Sequence, residues 1–199
     1  MCLTIGLTGG IAMGKTTVSQ YLADRYHLPI VDADIYARDA VAVGSPVLAQ
    51  IAQRYGDILQ TDGSLDRAKL GAIVFNQPQE RQWLEAQIHP IVRDRLCQTR
   101  DQCQRSNPEN PVILVVPLLF EAEMTDLVDE IWVIYCPEAH QLQQLMQRDQ
   151  LSREQAAARI ASQMPIQAKC DRANVVLDNS STTEALLRQV DRAIAGKIN

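Results

Sequence analysis

Five apolar segments recur along the chain, separated by polar sequence with helical spacing. Short runs rich in Val, Ile and Leu are typical of strands buried in a sheet. The predicted strands cover residues 3–8, 28–34, 111–120, 130–136 and 173–179. Helices are predicted over residues 35–43 and 138–169, and Thr182 or Thr183 caps a last one. Because strands that alternate with helices are joined by right-handed crossovers, the pattern predicts an α/β fold with a five-stranded parallel sheet.

The region between the second and third predicted strands contains no convincing parallel strand. Apolar side chains recur there at helical spacing and predict helices over residues 47–55, 67–75 and about 78–105. Pro90 should kink the last of these helices or mark a restart, because proline lacks the N–H that the helix needs. A helical insertion at this point is suited to covering an acceptor substrate.

A glycine-rich turn joins the first strand to the first helix. Residues Gly9–Thr16 fit the phosphate-binding pattern G-x-x-x-x-G-K-[ST]. Glycine permits the positive φ angles that turn backbone N–H groups inward, and the following helix adds the positive end of its dipole. Lys15 is expected to reach the β- and γ-phosphates, and the Thr16 hydroxyl to ligate Mg²⁺. A ligand-free turn is the alternative, but the flanking strand and helix favour a nucleoside triphosphate site.

Two carboxylates, Asp32 and Asp34, end the second predicted strand. In open α/β sheets, ligands bind at the carboxyl ends of the strands, so we expect both residues to face the same crevice as Lys15. Asp34 is also suited to capping the next helix, because Asp is a favoured cap residue. For Asp32, helix capping and a place outside a metal's coordination sphere are both open.

Composition narrows the partners and the compartment. A length of 199 residues suits one domain, and a net charge of −5 argues against a general nucleic-acid binder. Five cysteines without C-x-x-C spacing favour reduced thiols in a cytosolic protein. No signal peptide precedes the first strand, and no apolar run approaches the roughly 18 residues of a membrane span. We expect a cytoplasmic monomer with no nucleic-acid or membrane partner.

Phosphate loops serve several enzyme classes, so other features must separate these classes. GTPases need an N-K-x-D string and a D-x-x-G switch, and neither occurs in the sequence. Large ATPase modules usually need a longer chain. Arg148, Arg153 and Arg159, near the fourth crossover, suit a phosphotransferase whose lid closes over the transferring phosphoryl group.

Several strings in the sequence resemble dephospho-coenzyme A kinases and occur in that family's order. They are Ile5–Ile11 with Gly14-Lys15-Thr16, Asp32-Ala33-Asp34, Ala37-Arg38, Leu65-Asp66-Arg67, Ile88-His89-Pro90, Pro117–Glu121, Arg148-Asp149, Ala158-Arg159-Ile160, Gln163-Met164-Pro165 and Asp178-Asn179. The resemblance covers essentially the whole chain. It implies transfer of the ATP γ-phosphate, with Mg²⁺, to the ribose 3′-hydroxyl of dephospho-coenzyme A, the last step of coenzyme A synthesis.

The resemblance also implies a three-layer P-loop kinase fold of the nucleoside-monophosphate-kinase type. One domain over residues 1–199 would then have three parts. They are a core of residues 1–60, 110–140 and 170–199, an acceptor-binding region of about 61–109 and a lid of about 141–169.

The same resemblance assigns roles to individual residues. Lys15, Asp34 and Arg148 are the predicted catalytic residues, with Asp34 orienting or deprotonating the acceptor hydroxyl. The predicted ATP-binding residues are Gly10, Ile11, Ala12, Met13, Gly14, Lys15, Thr16, Thr17, Arg148 and Asn179. The predicted acceptor-binding residues are Asp34, His89, Leu118, Phe120 and Glu121. A structural role at the kink for His89, a core position for Phe120 and a solvated helix face for Arg148 are the alternatives, and Arg159 is a second candidate lid arginine.

Three positions depart from the family pattern. Relatives usually carry Gly and a small residue where this chain has Ala12 and Met13. Alanine costs about 1 kcal/mol if position 12 needs a positive φ, and Met13 would add bulk beside the phosphates. Val115 replaces an Asp that resembles a Walker B carboxylate. We therefore expect Mg²⁺ to be held by Thr16, ATP and waters, with Asp32 or Asp34 helping through water.

These departures keep two other functions open. One is a nucleotide-binding sensor or scaffold that has lost efficient transfer. The other is a different small-molecule kinase. The presence of Lys15, Asp34 and Arg148 together argues against the sensor.

Overall fold

The computed structural model describes residues 2–198, which form two compact units. The first, here called the sheet unit, contains the chain up to Asp32 and from Thr99 onward. The second, the helical unit, is Ala33–Gln98. No helix among the described residues is long and apolar enough to cross a membrane.

Within the described residues, five strands form one parallel sheet, as predicted. They are β1 Thr4–Gly9, β2 Ile30–Asp32, β3 Val112–Val115, β4 Glu130–Tyr135 and β5 Val175–Asp178, in the order β2-β3-β1-β4-β5. The two strands that follow β1 in the chain, β2 and β3, lie on one side of it, and the last two, β4 and β5, lie on the other side. The connections therefore change direction beside β1, and the carboxyl end of such a strand is where open α/β sheets bind ligands.

The described helices are α1 Lys15–Tyr26, α2 Ala33–Ala40, α3 Pro46–Tyr55, α4 Arg67–Asn76, α5 Pro78–Ser106, α6 Glu138–Asp149, α7 Arg153–Ala161, α8 Ile166–Cys170 and α9 Thr183–Ile194. One face of the sheet packs against α1 and α9, whose buried residues include Val18, Leu22 and Val190. Trp132 of β4 is fully buried in the same core. The result is a three-layer α/β fold, in agreement with the prediction.

Several predicted boundaries need correction. The third strand ends at Val115 rather than near residue 120, because Pro117 has no N–H with which to continue a ladder. Asp34 does not end β2, since α2 begins at Ala33 and places Asp34 in its first turn. Helix α5 runs through Pro90 without a restart. Of the two residues predicted as caps of α9, Thr182 is the N-cap, and its side chain accepts a hydrogen bond from the Ala185 N–H.

The helical unit has an apolar core of its own. Val47, Leu48 and Ile51 of α3 pack with Leu70 of α4 in this cluster. Asp66 begins α4 by accepting hydrogen bonds from the next turn. The unit also contains a cavity of about 510 Å³, lined by residues from two short segments that include two arginines, Arg38 and Arg67.

Candidate active site

The glycines of the phosphate loop are required by close backbone and side-chain packing. The loop connects the end of β1 to the start of α1 and contains Gly9 and Gly14, both at positive φ. A Cβ at Gly9 would lie 2.7 Å from the carbonyl oxygen of Ile134. A Cβ at Gly14 would lie 2.7 Å from Nδ2 of Asn179. Only glycine fits both positions, which fixes the turn that opens toward the N-terminus of α1.

Ala12 has a φ of 59°, in the left-handed region. This confirms the suspicion raised by the sequence, that alanine stands where the loop needs a positive φ. An L-residue in this conformation is strained by about 1 kcal/mol relative to glycine. The loop keeps its shape because the residues on either side of Ala12 are held by the contacts described below.

Met13 differs from the expectation that it would add bulk beside the phosphates. Its side chain is fully buried in the core of the sheet unit, together with Val18 and Leu22 of α1. The Met13 sulfur accepts a hydrogen bond from the Gly10 N–H at 3.3 Å. A flexible thioether fills irregular core space well, and burial favours this placement over an exposed one. The expectation was wrong, because the Met13 side chain packs in the core and contacts the loop backbone at Gly10.

Lys15 and Thr16 lie where the loop becomes helix α1. The Lys15 ammonium donates hydrogen bonds to the carbonyl oxygens of Gly9, at 3.0 Å, and Gly10, at 2.9 Å. Thr16 and Thr17 are exposed in the first turn of α1. The arrangement combines a positive charge, hydroxyl groups and the N–H groups of a helix start, which together suit a polyphosphate.

The backbone of Ile11 is bound by two glutamines. Its N–H donates to Oε1 of Gln163 at 2.8 Å, and its carbonyl oxygen accepts from Nε2 of Gln141 at 2.9 Å. Asn179 reaches the loop from the end of β5 and donates to the Met13 carbonyl oxygen at 3.0 Å. Neither glutamine has a predicted role from sequence, although Gln163 begins one of the strings that resemble the family.

The residues after β3 form a second polar group. The Glu121 carboxylate lies 2.8 Å from the Lys169 ammonium and accepts a hydrogen bond from the Met164 N–H at 2.9 Å. Lys169 is fully buried and also donates to the Pro117 carbonyl oxygen. Phe120 is buried beneath the guanidinium of Arg172, 4.4 Å from its ring centroid. Nothing in the local pattern around Lys169 distinguishes it from a surface lysine.

The two candidate lid arginines converge on one carboxylate. Arg148 and Arg159 lie 2.7 and 2.9 Å from the two oxygens of Asp149. The hydrogen bond from Arg148 lowers the pKa of Asp149 below its usual range. About half of each arginine side chain is exposed. Two cations around one anion leave a net positive charge on this surface.

The predicted carboxylates and histidine belong to different units. Asp32 ends β2 in the sheet unit, in register with Val115 on β3. Asp34 is exposed in the helical unit, and His89 is half-buried there in α5. A carboxylate thus lies on the strand beside Val115, the position at which the family resemblance implies an Asp.

The donor set fits Mg²⁺ bound mainly through a nucleotide. Among residues 2–198, no group of three His, Cys, Asp or Glu side chains could hold a metal ion. Thr16 supplies a hydroxyl in the first turn of α1, and Asp32 supplies a carboxylate at the end of β2. Mg²⁺ keeps several waters and takes phosphate oxygens in such sites, so a complete protein cage is not needed.

Comparisons with known proteins agree with this geometry. The family model described as dephospho-CoA kinase matches residues 3–185. A dephospho-CoA kinase of Trichormus variabilis is 58% identical over 192 residues, covering 96% of this chain and 95% of the relative. Among solved structures, the dephospho-CoA kinase of Campylobacter jejuni is 29% identical with a TM-score of 0.68, covering 98% of this chain and 96% of its own. TT1252 of Thermus thermophilus is 31% identical with a TM-score of 0.80, over 98% and 97%. The chain therefore belongs to the dephospho-CoA kinase family.

Proposed function

We propose that this protein transfers the γ-phosphoryl group of ATP to the ribose 3′-hydroxyl of dephospho-coenzyme A, giving coenzyme A and ADP. The observation that carries the proposal is the phosphate loop, with Lys15 at its mouth, in a chain of the dephospho-CoA kinase family. The cytoplasm is the compartment we propose, and a monomer the working form.

On the donor side, the N–H groups of the loop and the first turn of α1 bind the phosphates of ATP. Lys15 turns its ammonium to the β- and γ-phosphates and balances charge that develops as the terminal phosphoryl group leaves. Mg²⁺, when bound through the Thr16 hydroxyl, ATP oxygens and waters, neutralises phosphate charge. Asp32, at the end of β2, would hydrogen-bond those waters.

On the acceptor side, the helical unit binds dephospho-coenzyme A. The predicted acceptor region was residues 61–109, and the helical unit covers Ala33–Gln98. Arg38 and Arg67 line its cavity, and two guanidiniums complement the diphosphate of the acceptor. His89, Leu118, Phe120 and Glu121 stay as predicted acceptor residues.

Asp34 holds the acceptor hydroxyl. Its carboxylate accepts the hydroxyl proton as the new O–P bond forms and the bond to ADP breaks. Asp34→Asn should therefore lower kcat by about 100-fold, while the KM for dephospho-coenzyme A changes little. Initial rates at varied acceptor concentration measure both constants. A rise in KM with unchanged kcat would make Asp34 a binding residue only.

The predicted lid supplies further positive charge. Arg148 and Arg159 exchange Asp149 for phosphate oxygens when the lid closes over ATP. Closure also excludes water, which would otherwise compete with the acceptor for the phosphoryl group.

One assay tests the proposed function. The purified protein is incubated with ATP and Mg²⁺ and with dephospho-coenzyme A, adenosine or nucleoside monophosphates in turn, and ADP is followed. We expect ADP formation that depends on dephospho-coenzyme A. Turnover with another acceptor alone would indicate a different small-molecule kinase. ATP binding without turnover on any acceptor would indicate a sensor or scaffold.

A further inference from the structure

Both ends of the predicted lid are bound to the same residue of the phosphate loop. Gln141, at the lid entrance in α6, is 3% exposed and donates to the Ile11 carbonyl oxygen. Gln163, at the lid exit after α7, accepts from the Ile11 N–H at 2.8 Å. The two hydrogen bonds satisfy the donor and the acceptor of one peptide residue. They link parts of the chain that are 130 and 152 residues from Ile11.

The lid exit is fixed on its other side by a buried ion pair. Met164, next to Gln163, donates its N–H to Glu121, and Glu121 pairs with Lys169 at 2.8 Å. The Lys169 side chain is 0% exposed and that of Glu121 is 17% exposed. A buried ammonium is tolerated only when it is paired and hydrogen-bonded, and Lys169 meets this condition through Glu121 and the Pro117 carbonyl oxygen. Residues 163–169 are therefore anchored to the chain that follows β3.

We propose that Gln163 is a positioning residue for phosphoryl transfer, which fixes the lid exit to Ile11 so that the phosphate loop sets the position from which the lid closes. The Glu121–Lys169 pair holds Gln163 in place. This inference rests on the proposed function. In this arrangement the backbone of Ile11 binds the lid glutamines, and the loop N–H groups that bind phosphate begin at Ala12. Helix α7, which ends just before Gln163, carries Arg159, so the contact transmits the geometry of the loaded loop to a lid arginine.

The first test weakens the acceptor and keeps the shape. Gln163→Met has a side chain of similar size, but its thioether sulfur is a much weaker acceptor for the Ile11 N–H than the amide oxygen of Gln163. We expect kcat/KM for ATP to fall about tenfold, the equivalent of one such hydrogen bond, with the KM for dephospho-coenzyme A within about twofold of wild type. Gln167→Met is the matched control, because Gln167 is exposed and bonds to Asp171 at the end of its own helix. This control should keep wild-type kinetics.

A second measurement does not depend on the acceptor. Trypsin cleaves after Arg153 and Arg159, which are exposed on α7. With ATP and Mg²⁺ bound, cleavage at these sites should slow in the wild-type protein and in Gln167→Met. In Gln163→Met saturated with ATP, it should stay as fast as without ATP. The comparison tests the lid contact even if dephospho-coenzyme A gives no turnover, so failure of the proposed function is seen separately.

A third variant acts from the far side of the contact. Glu121→Gln keeps an oxygen for the Met164 N–H but removes the charge that pairs with Lys169. We expect a fall of about threefold in kcat/KM for ATP and partial loss of ATP protection. If Gln163→Met does not fold, Glu121→Gln provides the test instead. Wild-type kinetics and wild-type protection in the folded Gln163 variant, or in Glu121→Gln in its place, would overturn the proposal. In Gln163→Met, an effect confined to the KM of dephospho-coenzyme A would also overturn it, because Gln163 would then act at the acceptor.

Discussion

The phosphate loop and the two lid arginines belong to the same compact unit but are held by different kinds of contact. In the loop, Gly9 and Gly14 have no room for a Cβ, Met13 is fully buried, and Ile11 is bound on both sides of its backbone. Arg148 and Arg159, in contrast, are half exposed and share Asp149. Exposed ion pairs of this kind stabilise proteins by about 0–1 kcal/mol, so phosphate can replace the carboxylate at little cost.

This difference separates two tasks in phosphoryl transfer. A rigid loop holds the donor in line without reorganisation during the reaction. A weakly held pair of arginines can approach after ATP has bound and leave again with the product. The loop is thus built before substrate arrives, whereas the charge on the lid is available for exchange.

The largest effect expected is at the loop. Lys15→Ala should lower kcat by about 1000-fold, because no other side chain in the loop carries the charge that stabilises the leaving phosphates. Steady-state ADP formation measures the loss, and thermal unfolding should change little. Lys69→Ala, at an exposed lysine paired with Asp57, is the control. Near-normal turnover of the Lys15 variant would contradict the claim that the loop supplies the charge for phosphoryl transfer.

A smaller effect is expected at the lid. Arg148→Ala should lower kcat by about 100-fold and leave the unfolding free energy nearly unchanged, because Arg159 still pairs with Asp149. Turnover and urea unfolding check the two halves of this statement. Arg188→Ala, at an exposed arginine of α9, should affect neither quantity. Marked loss of stability in the Arg148 variant would mean that the lid arginine is structural.

Strain in the loop should be measurable as stability. Ala12→Gly removes the cost of a left-handed alanine and should raise the unfolding free energy by up to about 1 kcal/mol, with ATP turnover kept. Urea unfolding measures the change. The same substitution at Ala157, exposed in α7, should lower stability by about 1 kcal/mol. We expect the free energy of unfolding to rise for Ala12→Gly and to fall for Ala157→Gly. A fall in both variants would argue against strain at position 12.

The smallest effect concerns pH at the lid. Arg148 lowers the pKa of Asp149, so the ion pair stabilises the folded state above the ordinary Asp pKa of about 3.9. That contribution, about 0.3 kcal/mol after solvent screening, is lost as pH falls through the lower folded pKa. The stability difference between wild type and Asp149→Asn should therefore close as the pH falls below the ordinary Asp pKa and through the lower folded pKa. Urea unfolding of both proteins between pH 7 and pH 2.5 measures this difference in unfolding free energy. A difference that widened in acid would contradict a stabilising ion pair at Asp149.

Local patterns predicted the parts of the site that local physics controls. Gly9–Thr16 could be identified because a strand, a tight turn and a helix start are all readable within a few residues, and the strain at Ala12 followed from the same turn. The end of β3 was misjudged because apolar residues continue past Val115. Apolar side chains buried in a turn give the same pattern as those in a strand.

The sequence by itself determined the parallel sheet, the phosphate loop and the family of this protein. Each depends on residue types at short spacing, where hydrophobic periodicity and backbone geometry act directly. Only the tertiary structure decided that Met13 lies under the loop, that Asn179 and Gln163 bind its backbone, and that Lys169 is buried beside Glu121. These contacts join residues far apart in the chain, and whether a polar side chain is buried depends on partners that spacing alone does not reveal.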